Sequence, residues 1–170
     1  MSSTWITRAE TSADIPAIRE IDLAAFPTAL EADLVDALRA DPAAWIDGLS
    51  LVAADDDGNP VSHALLTRCH IGGTPALCLG PVAVRPERQQ SGAGSAAVLA
   101  ALAAAGDMGE YHVVVLGHPA YYPRFGFSRA SLHGIGVTID VPDEALMALT
   151  LDAAHPLPGG TVRYAAPFGI

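Results

Sequence analysis

Positive charge is scarce in this chain: nine Lys and Arg side chains stand against nineteen Asp and Glu, for a formal net charge of −10. No Lys/Arg cluster occurs along it, which argues against nucleic-acid binding, because affinity for a phosphate backbone needs dense cationic contacts. Cysteine is almost missing. Cys69 and Cys78 are too few for a disulfide framework or a zinc site, and they read as reduced core thiols of a cytoplasmic protein. The histidines at 63, 70, 112, 133 and 155 show no ligand spacing, so no metal is expected. The longest charge-free apolar run with helical character, Ala93–Ala105, is too short to span a bilayer. The stretch Met1–Glu10 lacks the basic start and apolar core of a signal peptide. Charged residues are only 16% of the chain and hydrophobic residues 51%, which excludes a disordered polymer. At 170 residues the expectation is one domain, 1–170, with a full core.

What is present falls into alternating periodicities. Thr4–Arg8 alternates like a short strand, and Asp14 before Ile15-Pro16 reads as a helix N-cap. Ile15, Ile18, Ile21 and Ala25 share one face of a helix that ends near Phe26. Thr28-Ala29-Leu30-Glu31 reads as a capping box opening a second helix, with Leu30, Leu34 and Leu38 as its apolar stripe and Asp41-Pro42 as its stop. The period then changes. Leu49–Ala54, Val61–Ile71 and Ala76–Val84 read as an antiparallel meander joined by Gly-rich turns. An Ala/Leu-rich helix follows, then the buried-strand pattern Tyr111–Leu116, placed parallel to Ala76–Val84 by the helical crossover. Pro119–Phe125 suits a short helix, and Ala145–Leu151 and Thr161–Ala166 read as closing strands. The predicted order is β-α-α-β-β-β-α-β-α-β-β.

The chemistry concentrates between Val82 and Phe127. Pro86 ends a strand, and a polar turn through Gly92 and Gly94 leads into a helix. The first N–H groups of a helix lack intrahelical partners and lie at the positive end of its dipole, so this turn can hold phosphate. Gly92-Ala93-Gly94-Ser95-Ala96-Ala97 also fits the dinucleotide pattern G-x-G-x-x-G/A. That fold needs the first glycine directly after its strand and an acidic residue ending the next one. Here Arg85–Ser91 intervene and Glu110 precedes the next strand, so the dinucleotide reading is set aside; a P-loop G-K-[ST] is absent.

Gln89-x-x-Gly92-x-Gly94 resembles the Q/R-x-x-G-x-G/A coenzyme A signature of the GNAT N-acetyltransferase superfamily. Tyr122-Pro123-Arg124-Phe125-Gly126-Phe127 resembles the Y-x-x-x-G-F string that follows the next strand there, and Leu116–Phe127 as a whole resembles a YhbS-like bacterial subgroup. The resemblance implies an α/β GNAT-like fold: a mixed, mostly antiparallel sheet of about seven strands with about four helices. It also implies acetyl-CoA as co-substrate and an amine as acceptor. The pantetheine arm would pair with the backbone of Val82, Ala83 and Val84, and the amides of Gln89, Gln90, Ser91, Gly92, Ala93, Gly94 and Ser95 would hold the pyrophosphate. Tyr122 falls at the family's general-acid position, and Tyr121 reads as packing or substrate wall.

No carboxylate lies in Ala76–Val84, where many relatives carry a glutamate, so the base is open: His118 is a candidate, as is a water chain. Asp22, Glu31 and Asp33 could attract a cationic amine but read first as solvated helix surface. A degenerate, non-catalytic acyl-CoA sensor is the alternative. The acceptor's identity stays open, and a homodimer is one assembly suggested by the resemblance and the apolar C-terminal segment.

Overall fold

The computed structural model describes residues 5–170, so Thr4 of the expected first strand lies outside the described residues. The chain runs β1 (Ile6–Ala9), α1 (Ile15–Ala25), α2 (Leu30–Arg39), β2 (Ser50–Ala54), β3 (Pro60–Ile71), β4 (Thr74–Val84), α3 (Ala93–Asp107) and β5 (His112–Leu116). It closes with β6 (Ser128–Arg129), β7 (Ile135–Gly136), β8 (Leu146–Thr150) and β9 (Gly160–Arg163). One sheet has the order β1-β2-β3-β4-β5-β8-β6, with β9 pairing the end of β3 and also β7. Its neighbours are antiparallel except β4 with β5 and β7 with β9.

Alternation along β2 and β3 decides what covers each face. Leu51, Ala53, Ala64 and Leu66 point to one side and meet Ala97, Val98, Ala101 and Leu102 of α3. Val52 and Leu65 point to the other and meet Ile18 of α1 with Val35 and Leu38 of α2. A third cluster, around Cys69, Ile71, Cys78 and Val114, is closed by the C-terminal strands. Both cysteines are buried and free.

Local chemistry changes several expected details. α2 buries Ala32, Val35 and Leu38, whereas Leu30, its first residue, is 72% exposed. Asp14 does not cap α1; its carboxylate turns back to accept from the amide and hydroxyl of Thr11 and from the Arg8 guanidinium. The helix expected over Pro119–Phe125 is a 3-10 turn, Tyr122–Phe125, stopped by Gly126 at φ +102°. The closing strand expected over Thr161–Ala166 ends at Arg163. The two-residue strands β6 and β7 carry too little periodicity to be read from sequence. The described residues therefore hold nine strands and three α-helices.

Candidate active site

The site begins with a parting of strands. β4 and β5 pair only through Leu77–Val113, Cys78–Val114 and Leu79–Val115. Immediately after, the register of β4 against β3 shifts from Leu66–Leu79 to Ala64–Val82, so a bulge over Gly80 and the cis-linked Pro81 re-aims the strand. Val82–Val84 continue along β3 and leave β5. A cleft of about 740 Å³ opens there, with Val82, Ala83 and Val84 as one wall.

The loop from β4 to α3 forms its floor. Gln90 adopts φ +63° and Gly92, the N-cap of α3, φ +88°, so two left-handed residues flank Ser91. From Gln90 to Ser95 no backbone N–H finds an acceptor among the described residues, while the Gln89 N–H is spent on the Pro86 carbonyl at 3.4 Å. Gly94 is needed for space: a Cβ there would sit 2.9 Å from Val84 Cγ2. The loop is also anchored from outside. Trp5 Nε1 donates to the Ser91 carbonyl at 3.2 Å, and Ser62 Oγ donates to the Ala93 carbonyl at 2.7 Å. Gln89, Gln90, Gly92, Gly94 and Ser95 line the cleft; Ser91 and Ala93, so anchored, do not.

The opposite wall comes from the turn after β5. Tyr121 OH and Ser95 Oγ share a hydrogen bond of 2.9 Å, which ties this turn to the first turn of α3. Tyr122 is 9% exposed, set edge-on to Tyr121 and Phe127 with centroids 5.0 and 5.9 Å away. Burial pushes its phenol up to about 12, so the hydroxyl keeps its proton at any physiological pH. Gly117 makes room for this ring. A Cβ at Gly117 would lie 2.3 Å from Tyr122 Cε2. His118 lines the cleft but is exposed, and its carbonyl accepts from the amides of Tyr121 and Tyr122.

Three lining residues were not singled out from the sequence. Ala25 and Phe26 bring the end of α1 to the cleft, and Arg124 adds its one guanidinium, stacked 4.3 Å over the Tyr121 ring. Arg124 sat in plain view inside the Y-x-x-x-G-F string. Asp22 departs from expectation altogether. It is 0% exposed rather than solvated, with both carboxylate oxygens buried and unpartnered, and its Oδ2 lies 3.6 Å from Nδ1 of the equally buried His63.

A parting between parallel strands beside a cluster of free amides leaves room for an extended ligand that carries negative charge. The acetyltransferase (GNAT) family model matches residues 15–127, and the chain belongs to that family. Its sequence is similar to the uncharacterized N-acetyltransferase YjhQ of Escherichia coli, 36% identical over 91% of this chain and 88% of that protein. YhbS of Escherichia coli is 32% identical over 76% of this chain and 77% of its own length. The crystal structure of YhbS in complex with CoA superposes with a TM-score of 0.90, covering 100% of this chain and 94% of that one at 27% identity. A GNAT acetyltransferase of Brucella melitensis in complex with acetyl-CoA gives 0.78 over 97% and 98% at 31% identity.

Proposed function

We propose that this protein transfers an acetyl group from acetyl-CoA to an amine by direct attack on the thioester. The observation that carries the reading is the alignment of the β4/β5 gap with the free amides from Gln90 to Ser95. Pantetheine carries amides that can pair with unfilled backbone positions of Val82–Val84, as an added strand would. The free amides of the lining residues Gln90, Gly92, Gly94 and Ser95 suit the pyrophosphate, with Gly94 permitting close approach, and Arg124 supplies a cation at the same cleft. With the ligand in that order the thioester would lie on the Tyr122 side of the cleft. The amine nitrogen attacks the carbonyl carbon, the C–S bond breaks, and the Tyr122 hydroxyl gives its proton to the departing sulfur. A positioned acid of this kind contributes about 10²–10⁴-fold. His118 is a proposed proton carrier at the cleft mouth, where its exposed ring meets solvent.

A specific observation favours a second reading: β4 carries no carboxylate, so the domain could hold acyl-CoA as a sensor without turnover. One experiment separates the two. Thermal unfolding is followed with acetyl-CoA and with NAD⁺, and release of free thiol is then measured against a panel holding spermidine, tyramine, lysine and a peptide with a free N-terminus. Ligand at about 100 Kd adds roughly 2.7 kcal/mol, or about 5–10 °C for a chain of this size. A rise with acetyl-CoA alone, followed by amine-dependent thiol release, is the expected result. A rise without release favours the sensor, and no rise removes both readings.

A further inference from the structure

The connection from α1 to α2 is apolar although it faces solvent. It reads Leu23-Ala24-Ala25-Phe26-Pro27-Thr28-Ala29-Leu30, without one charged side chain in a protein of net charge −10. All but Ala25 and Phe26 are exposed, Leu23 by 42% and Leu30 by 72%. Leu23, Phe26 and Leu30 join none of the three core clusters. Thr28, the one polar side chain of the segment, accepts from the Leu30 amide at 3.3 Å. A single exposed leucine is ordinary, but an exposed run without charge marks a place where something apolar is received.

This segment is continuous with the cleft. Ala25 and Phe26, at its middle, line the cavity together with Tyr122 and His118. The cavity is equally poor in negative charge. The chain holds nineteen Asp and Glu side chains, yet among the described residues none lines the cleft, whose one guanidinium is that of Arg124. The acids of α1 and α2 are spent elsewhere. Asp33 and Asp36 pair with Arg19, Glu20 faces Arg85 at 3.8 Å, and Asp22 is buried against His63. Glu31, next to Leu30, turns one carboxylate oxygen inward without a partner.

Charge and hydrogen bonding then select what can lie here. A molecule with two or more ammonium groups would bring its surplus charge to a guanidinium and an apolar segment, with no lining carboxylate to receive it. A peptide would lay its amides over a segment whose single hydroxyl is already engaged, and they would go unpaired. A small monoamine with a hydrocarbon body meets neither cost. Its body would also take the exposed surface of Leu23, Phe26 and Leu30 out of water.

We propose that the acceptor is a small primary monoamine with an alkyl or aryl body, and that the Leu23–Leu30 segment receives this body while the nitrogen reaches into the cleft. This rests on the acetyltransferase reading. The ammonium loses its proton to water before entry, and the free amine's nitrogen bonds the acetyl carbon as the C–S bond breaks. The sulfur takes the Tyr122 proton, and the nitrogen's surplus proton makes good the one that the phenol gave. The products are an N-substituted acetamide and the CoA thiol. Leu23, Phe26 and Leu30 act as specificity residues, by contact with the hydrocarbon body.

The test sets hexylamine against 1,6-diaminohexane, which differ at one end by a single ammonium group, and follows thiol release from acetyl-CoA. Wild type should favour hexylamine by about tenfold or more in kcat/KM. Leu23→Ser and Leu30→Ser replace exposed side chains, so the fold tolerates both. Each should raise KM for hexylamine about tenfold and leave KM for acetyl-CoA and the Tm unchanged. A diamine turned over as fast as hexylamine, or an unchanged hexylamine KM in both variants, overturns the proposal and leaves acetyl transfer standing. A peptide with a free N-terminus that reacts faster than hexylamine does the same. If no amine releases thiol, acetyl transfer and the proposal fall together. Sedimentation supplies a readout independent of turnover. A mass unchanged by Leu30→Ser is expected, whereas a wild-type dimer that Leu30→Ser dissolves means that a second copy covers the segment, and overturns the proposal.

Discussion

Replacing Gly117 by alanine tests whether the Tyr122 ring is held by close packing. The new Cβ would lie 2.3 Å from Tyr122 Cε2, 2.9 Å from Cδ2 and 3.3 Å from Cζ. Ordinary contact begins at 3.4 Å, so the nearest ring atom must retreat by 3.4 − 2.3 = 1.1 Å. The ring has little freedom to do so, wedged edge-on between Tyr121 and Phe127. Overpacking of this kind costs about 1–3 kcal/mol, and for a chain of this length that lowers Tm by roughly 2–12 °C. A displacement near 1 Å at a reacting group costs about 10²-fold in rate. Thermal denaturation gives the first quantity and thiol release the second. The double variant Gly117→Ala/Tyr122→Phe isolates the cause: it should turn over no more slowly than Tyr122→Phe alone, yet unfold as low as Gly117→Ala. Unchanged Tm and kcat in Gly117→Ala would refute the packing, and additive losses in the double variant would refute the route through the hydroxyl.

Tyr122→Phe should lower kcat by about 10²–10⁴-fold and leave the acetyl-CoA-induced rise in Tm intact, since no backbone amide of the loop is altered; steady-state kinetics and melting curves decide it. Alkaline pH should destabilise the fold. Burial holds the Tyr122 phenol at about 12 against an ordinary 10.0, and raises Tyr164, Cys69 and Cys78 as well. The unfolded chain therefore releases these protons first, stability is complete below the unfolded values, and it falls as pH climbs toward 12, measurable as denaturation midpoints from pH 8 upward. Asp14 gives the opposite sign. Its bonds from Arg8 and Thr11 hold it at about 2 against 3.8, so its stabilisation is present above 3.8 and disappears as pH falls through about 2. Asp14→Asn should cost up to about 1 kcal/mol at neutral pH, the worth of a part-exposed ion pair, and little near pH 2, read from the same midpoints.

The meander and the parallel pairing of β4 with β5 were legible because turn residues and apolar alternation are local signals. Gln89, Gly92 and Gly94, picked out by their spacing, line one cleft. What escaped reading depends on partners far along the chain. Asp22 looks like any acidic position on an amphipathic helix until His63 arrives from β3 behind it. Leu30 fits an apolar stripe, yet it is the first residue of α2 and lies beyond the sheet that buries Val35 and Leu38. Gly117 had no visible purpose, since the ring it accommodates becomes apparent only once the turn folds back. The 3-10 turn at Tyr122 replaces a helix because Pro123 and Gly126 leave too few residues for regular i to i+4 bonding.

The bond from Trp5 to the Ser91 carbonyl joins residues 86 positions apart. Through it the shape of the β4–α3 loop depends on the residue just before the first strand as well as on its own segment. In the order of assembly, the meander and α3 can form from contacts among themselves, but this clasp must wait until a loop of 86 residues has closed. During synthesis Trp5 leaves the ribosome well before its partner exists. A partly folded molecule with an intact central sheet but no Trp5 contact lacks this hold on the loop.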